Sequence, residues 1–246
     1  MNGELEGSHG QNWLPWGGLY TAVFFAIIVY VNYSMPYSPG PVTGPVAWQL
    51  LFWGCLYLPV LVLPIAAGCK VIDFGFTLSP QLALAFIIVT LLCGLGSLTT
   101  RITWSSAVIE AFARTGEEVF FRGFLITLLT RLFNKKRRPW LWAAIASSLI
   151  FALAHTQTFQ PSFLSQNGYP YFPAILVIFT RLFNVFAVGL VFALVRVWTR
   201  SILPGAIAHS IMNSGFLALP FVLVIYSLGL LWAYLRGEQV TFGPDA

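Results

Sequence analysis

Long apolar runs separated by short polar breaks dominate this chain. A helix crossing the hydrocarbon core of a bilayer needs about 20 mostly apolar residues. Runs of this kind fall at Leu14–Tyr33, Ala47–Ala67, Leu82–Leu98, Ser105–Phe133, Trp140–His155, Pro173–Trp198, Ile202–Leu217 and Leu219–Leu235. The breaks between them are short, and many carry Pro, Gly, Ser or Asn, which end helices and turn the chain. The pattern predicts an all-α fold: a polytopic transmembrane helical bundle of about eight spans, forming one structural domain. Within it, residues 1–98 supply spans one to three, 99–217 a core of spans four to seven, and 218–246 the last span and a tail. Gly116 interrupts the fourth run. Either Ser105–Thr115 is an amphipathic helix at the interface and the span begins at Glu117, or the span begins at Ser105. The seventh and eighth runs meet at Pro220.

Composition agrees with this reading. Hydrophobic residues make up 58% of the chain and charged residues only 9%, whereas a soluble domain carries about 25% charged residues. The surplus of apolar side chains needs lipid as its solvent. The net charge of +5 does not point to nucleic acid, because the basic run Lys135-Lys136-Arg137-Arg138 lies between two hydrophobic segments, as cytoplasmic loops beside anionic headgroups do. If eight spans alternate, Lys70, Arg131, Arg196, Arg200, Arg236 and that basic run all fall on one side, with Arg101 opposite. This bias predicts that both termini are cytoplasmic. Cys55, Cys69 and Cys93 show no metal-ligand or disulfide spacing. Glu4 and Glu6 occupy the place of a signal peptide's basic region, so the first run reads as a retained anchor.

A few ionisable residues remain inside the apolar runs: Glu110, Arg114, Glu117, Glu118 and Arg122 in the fourth, His155 in the fifth, Arg181 in the sixth and His209 in the seventh. Such groups cost several kcal/mol to insert and are normally paired or functional. Residues four apart share a helix face, so Glu118 can pair with Arg122, while Glu117, about 100° round the helix, points elsewhere. Phe151 can pack on His155 by the same spacing, and Asn213 joins His209 on one face. Glu117, His155, His209 and Asn213 could together hold a water, activate it and stabilise an oxyanion, the needs of metal-free peptide hydrolysis. Arg114, Arg181 and Glu110 belong to no motif and read as structural.

These residues carry a resemblance. Glu117-Glu118-Val-Phe-Phe-Arg122, Phe151-Ala-Leu-Ala-His155 and His209-Ser-Ile-Met-Asn213 resemble, in order, the E-E-x-x-x-R, F-x-x-x-H and H-x-x-x-N motifs of the CAAX prenyl protease and bacteriocin-processing family. The likeness covers roughly residues 100–217, including the glycine-containing stretch from Val188-Gly189 to Pro204-Gly205. It implies an intramembrane glutamate endopeptidase related to the Ras and a-factor converting proteases, with 99–217 as the catalytic core. Glu117 and His155 would activate the attacking water. His209 and Asn213 would stabilise the oxyanion, and Glu118 and Arg122 would support the geometry. The expected substrate is a membrane-associated or lipidated peptide or protein, with membrane lipid as the other partner, in the plasma or inner membrane if the source is bacterial.

No cofactor is expected. Zinc bound by Glu117, His155 and His209 is the less favoured alternative, since H-E-x-x-H is absent. Two other functions compete with the peptidase: a non-proteolytic membrane immunity or regulatory protein, and a proton-coupled transporter. The lack of an internal repeat weighs against the transporter. The uncharged aromatic segment Gln157–Pro173 reads as an interfacial belt or as a gate for substrate.

Overall fold

The computed structural model describes residues 14–34, 46–66, 69–97, 103–160 and 173–240. Residues 161–172, the greater part of the expected belt or gate, lie outside them, as does Arg101. Among the described residues the architecture is entirely helical. The elements are α1 (Leu14–Ser34), α2 (Val46–Ala66), α3 (Pro80–Ser97), α4 (Trp104–Glu118), α5 (Ile126–Leu132), α6 (Pro139–Ala154), α7 (Ala174–Thr199), α8 (Leu203–Ser214) and α9 (Leu219–Leu235).

The fourth run has no break at Gly116. α4 passes through a π-helical turn, Val119–Leu125, directly into α5. Glu117 therefore sits near the middle of one continuous helical run. Gly116 serves close approach instead: a Cβ there would collide with the Tyr57 ring of α2. The π turn leaves carbonyls without their usual i+4 partners, and buried carbonyls must be satisfied. Hydroxyls do this: Ser147 Oγ donates to the Phe121 carbonyl at 2.6 Å, and Thr127 Oγ1 lies 2.8 Å from the Gly123 carbonyl.

α4 and its continuation are the central element, packed against α2, α6, α8 and α9. The start of α8 is tied to the loop after α2. Ile202 donates its backbone N–H to the Gly75 carbonyl at 3.1 Å, and Thr77 and Ser79 hydroxyls donate to the Arg200 and Thr199 carbonyls at 2.5 and 2.6 Å. The buried Tyr226 hydroxyl of α9 bonds both sides of this junction, at the Thr77 carbonyl and Ser201 Oγ. The junction sets where α8 enters the bundle.

Among the described residues, two helical segments are long and apolar enough to cross a membrane: α7, and the run Leu203–Leu235 that joins α8 to α9 through a 3-10 turn. Only 17% and 22% of their most apolar windows are buried. Ile175, Phe179 and Phe183 are 73, 65 and 58% exposed, on a scale that water does not tolerate over a contiguous face. Shorter apolar helical stretches lie at 17–27, 46–59, 80–91 and 139–154. Pro220, expected as the junction of two spans, occupies the first turn of α9, where its missing N–H costs nothing.

Candidate active site

Glu118 is fully buried and faces α8. Its Oε1 accepts from His209 Nδ1–H at 3.1 Å and lies 3.4 Å from Arg122 Nη1. α8 comes this close because residue 205 carries no side chain: a Cβ there would stand 2.8 Å from Glu118 Oε2. Gly205→Ala is expected to cost about 1–3 kcal/mol by overpacking, read as a lower thermal unfolding midpoint in detergent. An unchanged midpoint would mean that the helices separate there without penalty.

Arg122, also fully buried, lies in an aromatic box. Its guanidinium carbon is 4.0 Å from the Phe151 ring centroid and 5.7 Å from those of Phe121 and Phe192. Nη2 also donates to the Gly189 carbonyl at 3.5 Å. Glu118 balances the charge, and desolvated ring faces hold a cation well. The pair expected from the i, i+4 spacing is thus present, with a third member, His209.

Glu117 is not left free by this pairing. Arg114 Nη1 donates to its Oε1 at 2.5 Å, while Arg114 Nε donates to Glu110 Oε2 at 2.9 Å. Arg114 and Glu110, expected to be unconnected with the motif residues, therefore belong to the same cluster. The signal was present in the chain as i, i+3 and i, i+4 spacings. The second oxygen, Oε2, is buried, makes no hydrogen bond and lies 3.6 Å from His209 Nε2. Arg114 thus holds one oxygen and leaves the other facing the imidazole.

His155 caps the C-terminus of α6 and is half-buried. Its Nδ1–H donates to the Phe151 carbonyl at 2.9 Å, so in the neutral ring Nε2 is an acceptor. Phe151 lies edge-on to both histidines, with centroid distances of 4.7 Å to His155 and 6.0 Å to His209. His155, His209 and Arg114 are within electrostatic reach of one another. Asn213 is turned differently: it is exposed, and its Nδ2 donates to the His209 carbonyl at 2.9 Å. One amide proton is therefore spent on its own helix. Among the described residues, no group of three His, Cys, Asp or Glu side chains is arranged to hold a metal ion.

A helical membrane protein with a buried centre of two carboxylates and neighbouring histidines is the class that this fold and site define. More particularly, the chain belongs to the type II CAAX prenyl endopeptidase Rce1-like family, whose model matches residues 81–215, more than half of the sequence. The match includes all three motifs and extends back through most of α3, beyond the region where the resemblance was legible. Neither a curated protein nor a solved structure matches the chain.

Proposed function

We propose that this protein is a multi-pass intramembrane endopeptidase that hydrolyses a peptide bond of a membrane-associated or lipidated peptide, using water activated by Glu117 and His155. The observation that carries this reading is the meeting of Glu117 Oε2, which makes no hydrogen bond, with His209 Nε2 at 3.6 Å in a buried site. In this mechanism Glu117 takes a proton from water as the water oxygen attacks the peptide carbonyl. The tetrahedral intermediate then collapses with cleavage of the C–N bond, and the same proton passes to the leaving amine. His155 Nε2 accepts a hydrogen bond from the water and orients it. His209, held through Nδ1 by Glu118, donates from Nε2 to the developing oxyanion when its ring is doubly protonated, and Asn213 has its second amide proton left to offer. Glu118 and Arg122 hold this arrangement without reacting.

Both carboxylates are engaged by arginines, Glu117 by Arg114 and Glu118 by Arg122, which supports the metal-free route over zinc. Activity is accordingly expected to survive EDTA. Loss on chelation and recovery with zinc would favour the metal. An open apolar groove of about 870 Å³ between α2, α4 and α9, lined by Leu51, Leu58, Val108, Phe112 and Val224, supports a substrate with a lipid chain. The distribution of Lys and Arg supports about eight spans with both termini in the cytoplasm.

Comparison of membrane peptides from cells carrying wild-type or Glu117→Ala protein tests the function. An uncleaved peptide should accumulate in the variant. Identical peptide sets together with a tolerated substitution would point instead to a non-proteolytic membrane partner. Arg114→Ala, which frees Glu117 to leave its position, should lower kcat by about 10²-fold, the scale of an ångström's misplacement of a reacting group. Arg114→Lys should restore part of it, and an Arg114→Ala enzyme of wild-type kcat would remove Arg114 from the mechanism.

A further inference from the structure

Tyr57 of α2 belongs to none of the motifs, yet its ring packs on α4 at the residue before Glu117. Its side chain is 4% exposed, and the phenol oxygen is buried without a hydrogen-bond partner. Buried hydroxyls are nearly always satisfied, so an orphan calls for an explanation. The ring is firmly placed. It lies against the backbone at Gly116, the residue before Glu117, stacks on Trp53 at 5.7 Å and 10°, and contacts Phe24 at 5.8 Å. Glu117, Arg114 and Glu118 all lie within its electrostatic reach.

Among the motif side chains and the Arg114 cluster, the donors otherwise available to an oxyanion are few. Arg114 is bound to two carboxylates, and Arg122 is enclosed by three phenylalanines and Glu118. Asn213 has spent one N–H on the His209 carbonyl. His209 gives Nδ1–H to Glu118, so its Nε2 carries a proton only when the ring is doubly protonated. Tyr57 holds an O–H donor that is uncommitted, neutral and fixed by packing, which is what preorganised stabilisation of an oxyanion requires.

We infer that Tyr57 is a further catalytic residue, donating its phenol hydrogen bond to the oxyanion formed when the peptide carbonyl is attacked. This rests on the peptidase reading above. The phenol proton stays on Tyr57 throughout, and the transferred proton remains the one that Glu117 takes from water. Gly116 is small so that this ring can lie against α4 beside Glu117.

Tyr57→Phe is the test, because it keeps the ring and removes only the hydroxyl. The substrate is an internally quenched farnesylated peptide with a CAAX C-terminus, assayed with purified protein in nanodiscs. Its phosphonate analogue, tetrahedral at the scissile position, serves as binding probe. Tyr57→Phe should lower kcat by about 10²-fold, as loss of one oxyanion donor does, with KM unchanged. Affinity for the phosphonate should fall with kcat. The thermal unfolding midpoint should be equal or higher, since an unsatisfied buried hydroxyl has been removed. A merely structural hydroxyl would give the reverse, a lower midpoint with kcat retained. If the wild type cleaves the peptide and Tyr57→Phe matches it within about twofold, the Tyr57 assignment falls and the peptidase reading stands. If the wild type neither cleaves the peptide nor prefers its phosphonate, both fall.

Discussion

Glu117→Gln is expected to abolish peptide hydrolysis while leaving the protein folded. Glutamine has the shape of glutamate, and its amide oxygen can still accept from Arg114 Nη1, now 2.5 Å from Glu117 Oε1. What it cannot do is take a proton from water. Positioned general bases contribute about 10²–10⁴-fold to rate, and kcat should fall by that factor. The measurement is single-turnover cleavage of the quenched peptide, alongside thermal unfolding of the same preparation. Retained structure with lost turnover separates a chemical role from a scaffolding one. An enzyme that keeps wild-type kcat would show that Glu117 is not the base, whatever the motif suggests. Glu117→Ala is the less clean variant, because it also leaves Arg114 with Glu110 as its one remaining carboxylate among the contacts seen.

Glu118→Ala should fail in a different way. Arg122 is 1% exposed, and Glu118 neutralises it from inside the bundle. Removing one partner of a buried ion pair costs about 3–5 kcal/mol, because the other charge is left uncompensated. The same substitution takes away the acceptor that orients His209. Both unfolding midpoint and activity should therefore drop. Replacing the pair together, as Glu118→Leu with Arg122→Met, should recover most of the stability, since well-packed apolar residues often match a buried pair. It should not recover activity, because His209 still lacks its partner. A Glu118→Ala protein with wild-type stability would mean that Arg122 finds another counter-charge. Recovery of activity in the double variant would mean that His209 needs no orienting carboxylate.

These two glutamates show how much of the centre local spacing reveals. Glu118 with Arg122, and Phe151 with His155, are pairs within one helix. Helix geometry alone predicts them, and both contacts are present. Arg114 with Glu117 obeys the same rule at i, i+3. Arg114 stands outside any motif, but the pairing depends on helix pitch and not on motif boundaries. Gly116 left two readings open for a related reason. A glycine inside an apolar run reads as a break, but the helix continues, and the space is filled by a ring from another helix. The π turn had no sequence signal: Val119–Leu125 contains no proline and is apolar apart from Arg122 and Gly123.

The order of residues along the chain dictates the solvent, the element type and the residues that carry charge into it. Apolar runs with so few ionisable residues leave lipid as the medium, and backbone groups in lipid must be satisfied within helices. The family followed from three short motifs in order. Tertiary structure alone decided how the helices are rotated and how closely they approach. That rotation sets His209 against both glutamates, turns Asn213 back on its own helix, and lays Tyr57 across Gly116 beside Glu117. Contacts between helices depend on packing over the whole bundle, which no local spacing encodes. Contacts within a helix depend only on its pitch, and so they were readable from the chain.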